Sequence, residues 1–271
     1  MFEAKTANGV TVYTIPSFTA TGLTGHAFTG RAGGVSTGPY FSLNMAFGLG
    51  DRDENVLRNR ERTCRSLGID PSKLVAGQQV HGERIEVVTA EHAGRGATSY
   101  NGGLPAADAL LCAEPGLPLA SFYADCVPLF FLDPVRKVVA LAHAGWRGAA
   151  LRIGPKTVQK MRTLYGSDPR ECLAGIGPSI GPCCYEVDWA LLKHFPADFS
   201  TAGGVAAPAG PGKWLFNLWE ANRLFLLEAG LLAENITVAG MCTACHNNAL
   251  FSYRAQGGVC GRMASLIMLK G

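Results

Sequence analysis

The 271 residues are 48% apolar, which is ample for a substantial core, and their formal net charge of +3 is spread without long like-charge blocks, so a nucleic-acid binder is excluded as the default reading. No stretch approaches the roughly 18 consecutive apolar residues that span a bilayer, and the opening MFEAKTANGVTVYTIP lacks a basic start followed by an apolar run. The expectation is a cytoplasmic protein with neither a membrane nor a nucleic-acid partner. Nine cysteines, an odd number without an export signal, are expected to be thiols rather than a disulfide framework.

In chain order, ENVLRNRERTCRSLGI (54–69) has helical periodicity, and strand character follows at 84–90, 107–113, 119–133 and 137–144. A helix is predicted over 153–166, a strand over 172–180, helices over 187–195 and 217–230, and a last strand over 235–243. From the residues alone, this alternation predicts mixed α and β structure in one sheet system. The Gly-, Ala- and Pro-rich run TAGGVAAPAGPGK (201–213) reads as a flexible surface loop. There is no internal repeat and no boundary, so residues 1–271 are expected to form a single domain.

Three stretches put metal-capable side chains where strand patterns end or turn: QQVHG with His81, YADCVP with Cys126, and ALAHAGWRG with His143. Two imidazoles and a thiolate suit Zn²⁺, with the fourth position left for water or substrate. In the last stretch Gly145 and Gly148 are expected to let the backbone turn tightly. Trp146 and Arg147 have two readings: a stacking face beside a donor fork, or a core cap beside a surface ion pair. CTACH (242–246) matches the pattern for covalent haem attachment, which the absence of an export signal disfavours, and its cysteines could instead form a second metal site with Cys183 and Cys184.

In order along the chain, TGRAGGVSTGPYFSLNMAFGLGD (29–51), Asn59-Arg60, QVHG (79–82), ADC (124–126), HAGWRG (143–148), GIGPSIGPCCYEV (175–187) and CTACHNNALFSYR (242–254) resemble the YfiH/YlmD, or laccase-domain, family. That family was once described as multicopper polyphenol oxidoreductases and is now associated with purine nucleoside phosphorylase activity. The resemblance covers nearly the whole chain. It implies an α+β fold, a single-domain layered α-β-β-α sandwich with mixed sheets, and a zinc ion held at strand ends by His81, Cys126 and His143. It also implies phosphorolysis of adenosine, inosine and methylthioadenosine, together with adenosine deamination.

For that chemistry Asp125 and Arg147 are the catalytic candidates, and Arg31, Ser36, Asn44, Arg60 and Gln79 are the candidates for binding substrate and phosphate. The expected partners are nucleoside and phosphate, and the chain is expected to be a monomer or weak homo-oligomer. Two rivals stand beside this reading. One is a copper phenol oxidase, disfavoured because the sequence offers no His-x-His pairs; the other is a hydrolase of cell-wall precursors using Cys126 and His143 as nucleophile and base. The segment after Arg254 departs from the family pattern, since Ala255 follows it directly and Cys260 precedes Gly261 and Arg262, which leaves the C-terminal arginines without an assigned role.

Overall fold

Strand alternation decides which side chains each layer of this protein receives. The computed structural model describes residues 1–200 and 204–271. Its first half runs through β1 (Glu3–Ala7), β2 (Val10–Thr14), α1 (Pro16–Thr21), β3 (Thr24–Thr29), α2 (Asp53–Leu67), β4 (Val75–Ala76), β5 (Ile85–Val88), β6 (Ala109–Cys112), β7 (Leu119–Tyr123), β8 (Val127–Asp133) and β9 (Val138–Ala144). The second half adds α3 (Trp146–Ala150), α4 (Ile153–Tyr165), β10 (Leu173–Ile176), β11 (Glu186–Asp188), α5 (Trp189–Leu192), β12 (Ala206–Gly210), β13 (Lys213–Phe216), α6 (Leu218–Glu228), β14 (Ile236–Val238) and β15 (Met263–Leu269).

The strands form two mixed six-stranded sheets, in the orders β1-β2-β3-β15-β7-β4 and β14-β10-β8-β9-β6-β5, and a small sheet β11-β13-β12. In β8, Phe130 and Leu132 point toward the first sheet and meet Phe28, Tyr123, Met263 and Ile267 in a core between the two large sheets. Their neighbours Val127, Leu129 and Phe131 point the other way, onto Ile153, Val158 and Met161 of α4 and Phe225 and Leu226 of α6. On the outer face of the first sheet, Val12, Ala27 and Leu266 pack with Cys64 of α2 and with Leu43 and Met45 from the segment that precedes it. The result is an α-β-β-α stack, in which each fully buried Leu or Phe contributes roughly 1.5–3 kcal/mol.

The same alternation fixes His143. In β9, Val139 and Leu141 face the inter-sheet core, and His143 continues that face two residues on. Chain direction then brings the two sheets together beside it, because β7 of the first sheet passes into β8 of the second through residues 124–126 alone. Asp125 makes that crossing with φ of 85°, a left-handed conformation that Asp tolerates better than most residues.

Three expectations change. The single sheet system predicted from the alternation is two large sheets and a small one, because non-local pairing decides sheet membership. The helix predicted over 187–195 is strand β11 followed by the short α5, since Val187 pairs with Trp214 across the small sheet. Of the predicted loop over 201–213, residues 206–210 form β12 and pair with β13, so this part is an exposed hairpin; residues 201–203 lie outside the described residues.

Within β3, His26 is buried, and its Nε2 accepts the Ile15 N–H at 2.9 Å. Burial holds its pKa at about 4, well below the usual 6.5. An unfolded chain takes up this proton near pH 6.5 and the folded one does not, so stability is full above pH 6.5 and falls as the pH drops toward 4, by on the order of 3 kcal/mol. His26→Gln is expected to flatten that limb of a denaturant-melt series between pH 7 and 4; a limb identical to that of the parent would contradict the assignment.

Candidate metal centre and its cavity

The site is organised by Asp108, a residue that the sequence did not single out. Its side chain is fully buried just before β6. One carboxylate oxygen accepts the N–H of His81 at 3.0 Å and the other those of Val80 and Gly82 at 3.1 and 2.8 Å. His81 adopts φ of 60°, and this left-handed step lets three successive amides converge on one anion. Burial works against charge on Asp108, but hydrogen bonds from His143 and from the amides of Gly82 and Val80 outweigh it and keep the pKa low.

Asp108 then acts on the ligands themselves. Its Oδ1 lies 2.8 Å from His143 Nδ1, which fixes the ring and leaves Nε2 to face the neighbouring donors. Ligand atoms of His81, Cys126 and His143 all lie within 4.8 Å of one another, with Cys126 Sγ 3.8 Å from His81 Nε2. Tetrahedral zinc, with bonds of about 2.3 Å to sulfur and about 2.0 Å to nitrogen, separates such a pair by about 3.5 Å, so the set fits one ion. Burial opposes charge on both Cys126 and His143. Mutual attraction wins, with the thiol drawn below its usual range by the two imidazoles and the His143 imidazole raised by the thiolate and Asp108. A cation needs the same thiolate.

Gly145 completes the arrangement by having no side chain. A Cβ there would stand 2.8 Å from Cys126 Sγ and 3.1 Å from His81 Cδ2. Its φ is an ordinary −59°, and a Cβ on Gly148 would sit 2.8 Å from the His143 carbonyl oxygen. Space, rather than the tight turn expected from sequence, is therefore what both glycines provide. The strand-end expectation also needs refining: His143 is within β9 and Cys126 directly precedes β8, but His81 sits in the loop between β4 and β5.

The three donors open on a cavity of about 670 Å³. Asp125, Arg147, Arg60 and Gln79 all line it. Asp125 does not aim at the donors: its oxygens accept Thr243 Oγ1–H at 2.6 Å and the Arg254 N–H at 2.7 Å. Arg147 is exposed, lies 4.5 Å over the Trp146 ring and has no acidic partner among the described residues, so the donor-fork reading fits and the ion-pair reading does not. Arg60 is buried between the Phe47 and Phe122 rings, donates to the carbonyls of Met45, Gly96 and Ala97, and has its pKa lowered to about 9 by burial. Gln79 exchanges both of its amide groups with the backbone of Phe122.

The other predicted binding residues lie elsewhere. Arg31 is held by the carbonyls of Phe41 and Asn247. Ser36 and Asn44 share the Asp51 carboxylate beside α2. None of the three lines the cavity; their bonds fasten the long 30–51 segment to itself, to Asn247 and to Asn59 of α2. In their place the wall takes Tyr100, Tyr185, Tyr253, Arg254 and Arg262. The C-terminal arginines that had no role from sequence are thus cavity residues.

Asp108→Asn is expected to weaken zinc binding roughly 10- to 100-fold in competition with a chelator, because the amide cannot accept from three N–H groups and His143 together. Gly145→Ala is expected to weaken it as well, by displacing Cys126 Sγ. Unchanged zinc affinity in both variants would contradict the geometry described here.

Comparison with known proteins agrees with the resemblance seen in the sequence. The family model described as multi-copper polyphenol oxidoreductase laccase matches residues 25–270. The chain is 38% identical to the purine nucleoside phosphorylase YlmD of Bacillus subtilis over 90% of its length and 87% of the relative's. It is 35% identical to the purine nucleoside phosphorylase YfiH of Escherichia coli, over 88% and 91%. The crystal structure of YlmD from Geobacillus stearothermophilus superposes with a TM-score of 0.93 at 36% identity, covering 100% of this chain and 99% of that one. With its sequence matched almost end to end and its α-β-β-α stack shared, the chain belongs to the multi-copper polyphenol oxidoreductase laccase family, the family of YfiH and YlmD.

Proposed function

We propose that this protein is a zinc-dependent purine nucleoside phosphorylase that acts on adenosine, inosine and methylthioadenosine and also deaminates adenosine. The observation that carries the reading is one cavity lined by metal-capable donors, cations and aromatic rings together. A His-Cys-His donor set and four arginines, Arg60, Arg147, Arg254 and Arg262, share its wall with the flat faces of Trp146, Tyr185 and Tyr253. Its volume, about 670 Å³, suits a nucleoside with phosphate beside it. The names of the relatives support the same class.

The chain's own groups divide the work. Arg147, unpaired and exposed to the cavity, is the group that holds phosphate, with Arg60 adding positive charge from behind. The aromatic faces orient the base, so that a phosphate oxygen bonds to C1′ as the C1′–N9 bond breaks and its electron pair leaves with the purine, which takes up a proton. Zinc bound by His81, Cys126 and His143 would polarise an oxygen of the substrate or acidify a water molecule, the latter serving deamination, in which water adds at C6 and ammonia leaves. Asp125, with both oxygens engaged, anchors on buried Thr243 and positions Arg254 at the wall instead of moving protons.

A second reading draws on the closeness of Cys126 Sγ to His81 and to the raised His143, which also describes a thiolate–imidazolium nucleophile. Iodoacetamide separates the two: zinc is expected to protect Cys126, whereas rapid labelling of zinc-loaded protein would favour the nucleophile. For the main proposal, adenosine is incubated with and without phosphate. Free adenine and ribose 1-phosphate are expected only with phosphate, and inosine in both cases. Arg147→Gln is expected to raise the KM for phosphate roughly 10- to 100-fold through the lost charged hydrogen bonds. Base release that ignores phosphate would overturn the phosphorolysis.

A further inference from the structure

A second cluster of donors stands outside the machinery described above. The loop after β10 carries Cys183 and Cys184, and the loop after β14 carries Cys242 and Cys245. Because β10 and β14 are parallel neighbours, both loops leave the same end of the second sheet. The pairing extends into them: Ser179 donates its N–H to Met241 and accepts that of Thr243. Four sulfurs are thereby brought within 4.8 Å of one another, with Cys245 Sγ 3.4 Å from both Cys183 Sγ and Cys184 Sγ.

These separations discriminate between possible occupants. A disulfide needs its sulfurs at about 2.05 Å, and all nine cysteines are free. Zinc with four sulfurs at about 2.3 Å spaces them about 3.8 Å apart, inside the range found here. A polynuclear iron–sulfur cluster spreads its cysteines over several metal atoms and so needs a wider set. The Gly181 N–H donates to Cys242 Sγ at 3.2 Å, a bond that favours thiolate. Four thiolates this close repel one another unless a cation sits among them.

We propose that Cys183, Cys184, Cys242 and Cys245 bind a structural zinc ion, separate from the His81–Cys126–His143 centre, that staples the two loops into one wall of the cavity. Four sulfurs close the coordination sphere and leave no position for substrate, so the ion is structural. Its place explains what it braces. Tyr185 follows Cys184 into the cavity wall, and Thr243 follows Cys242 and holds Asp125. Arg254 crosses between the loops by donating to the carbonyls of Cys184 and Glu186.

The test is the zinc content of full-length protein purified under reducing conditions, compared with its Cys126→Ser and Cys242→Ser/Cys245→Ser variants. The wild type is expected to hold two zinc ions per chain, and each variant one. Cobalt substituted into Cys126→Ser is expected to give the intense sulfur-to-cobalt charge-transfer bands of a tetrathiolate. Should the double variant fail to fold, Cys126→Ser decides alone, because its thiol cluster is intact. A folded Cys126→Ser protein without zinc, one whose cluster cysteines alkylate freely in excess zinc, a disulfide found there by intact mass, or iron in place of zinc would each overturn the proposal. None of these readouts depends on nucleoside turnover, so the failure of the proposed activity would leave the test standing.

Discussion

The carboxylate of Asp108 is the constraint on which the rest of the site depends. It is a fully buried anion, tolerable only because three backbone amides and an imidazole satisfy it. Meeting that demand bends the 80–82 segment into the left-handed step at His81 and presents that side chain to the cavity. The same oxygen that takes the His81 N–H also holds His143, so two of the three candidate ligands are positioned through one group. Cys126 arrives independently, at the crossing from one large sheet to the other.

The layers explain why chemistry is concentrated here. Two sheets packed face to face leave a dry core, and His143 is the point where the inward face of β9 runs out of that core. The thiolate and the imidazoles gain from partial burial, since a weakly screened environment strengthens their attraction to one another and to a cation. Gly145 marks the boundary. It opens α3 with no side chain, and Trp146 and Arg147 follow directly onto the cavity wall. An apolar strand, a ligand, a gap and the cation-bearing start of a helix are thus compressed into the nine residues 140–148.

Much of this was legible in the sequence, and the failures have physical causes. His81, Cys126 and His143 stood out as metal-capable side chains where strand patterns end or turn, and the resemblance carried by the quoted motifs joined them into one set and supplied the layered fold. Asp108 was missed because a lone Asp in ADALLC carries no local signal; its partners lie 26 and more residues away. Arg31, Ser36 and Asn44 looked like an anion cradle within a glycine-rich segment, yet their hydrogen bonds are consumed in fastening that segment, which periodicity cannot reveal. The hairpin of β1 and β2 was signalled by Asn8-Gly9, both at positive φ, and could have been predicted. The placement of β15 between β3 and β7 could not, since it joins the two ends of the chain.

The cavity wall beyond the donors is assembled from many separate stretches of chain, from Ala46 to Arg262, which is why composition gave no hint of it. What decides its chemistry is whether one ion sits among the three donors. Anomalous diffraction at the zinc edge from crystals grown with zinc is the most direct measurement. A peak about 2.0–2.1 Å from His81 Nε2 and His143 Nε2 and about 2.3 Å from Cys126 Sγ is the predicted result. No peak at that centre in zinc-replete crystals, with the three side chains as placed here, would contradict it.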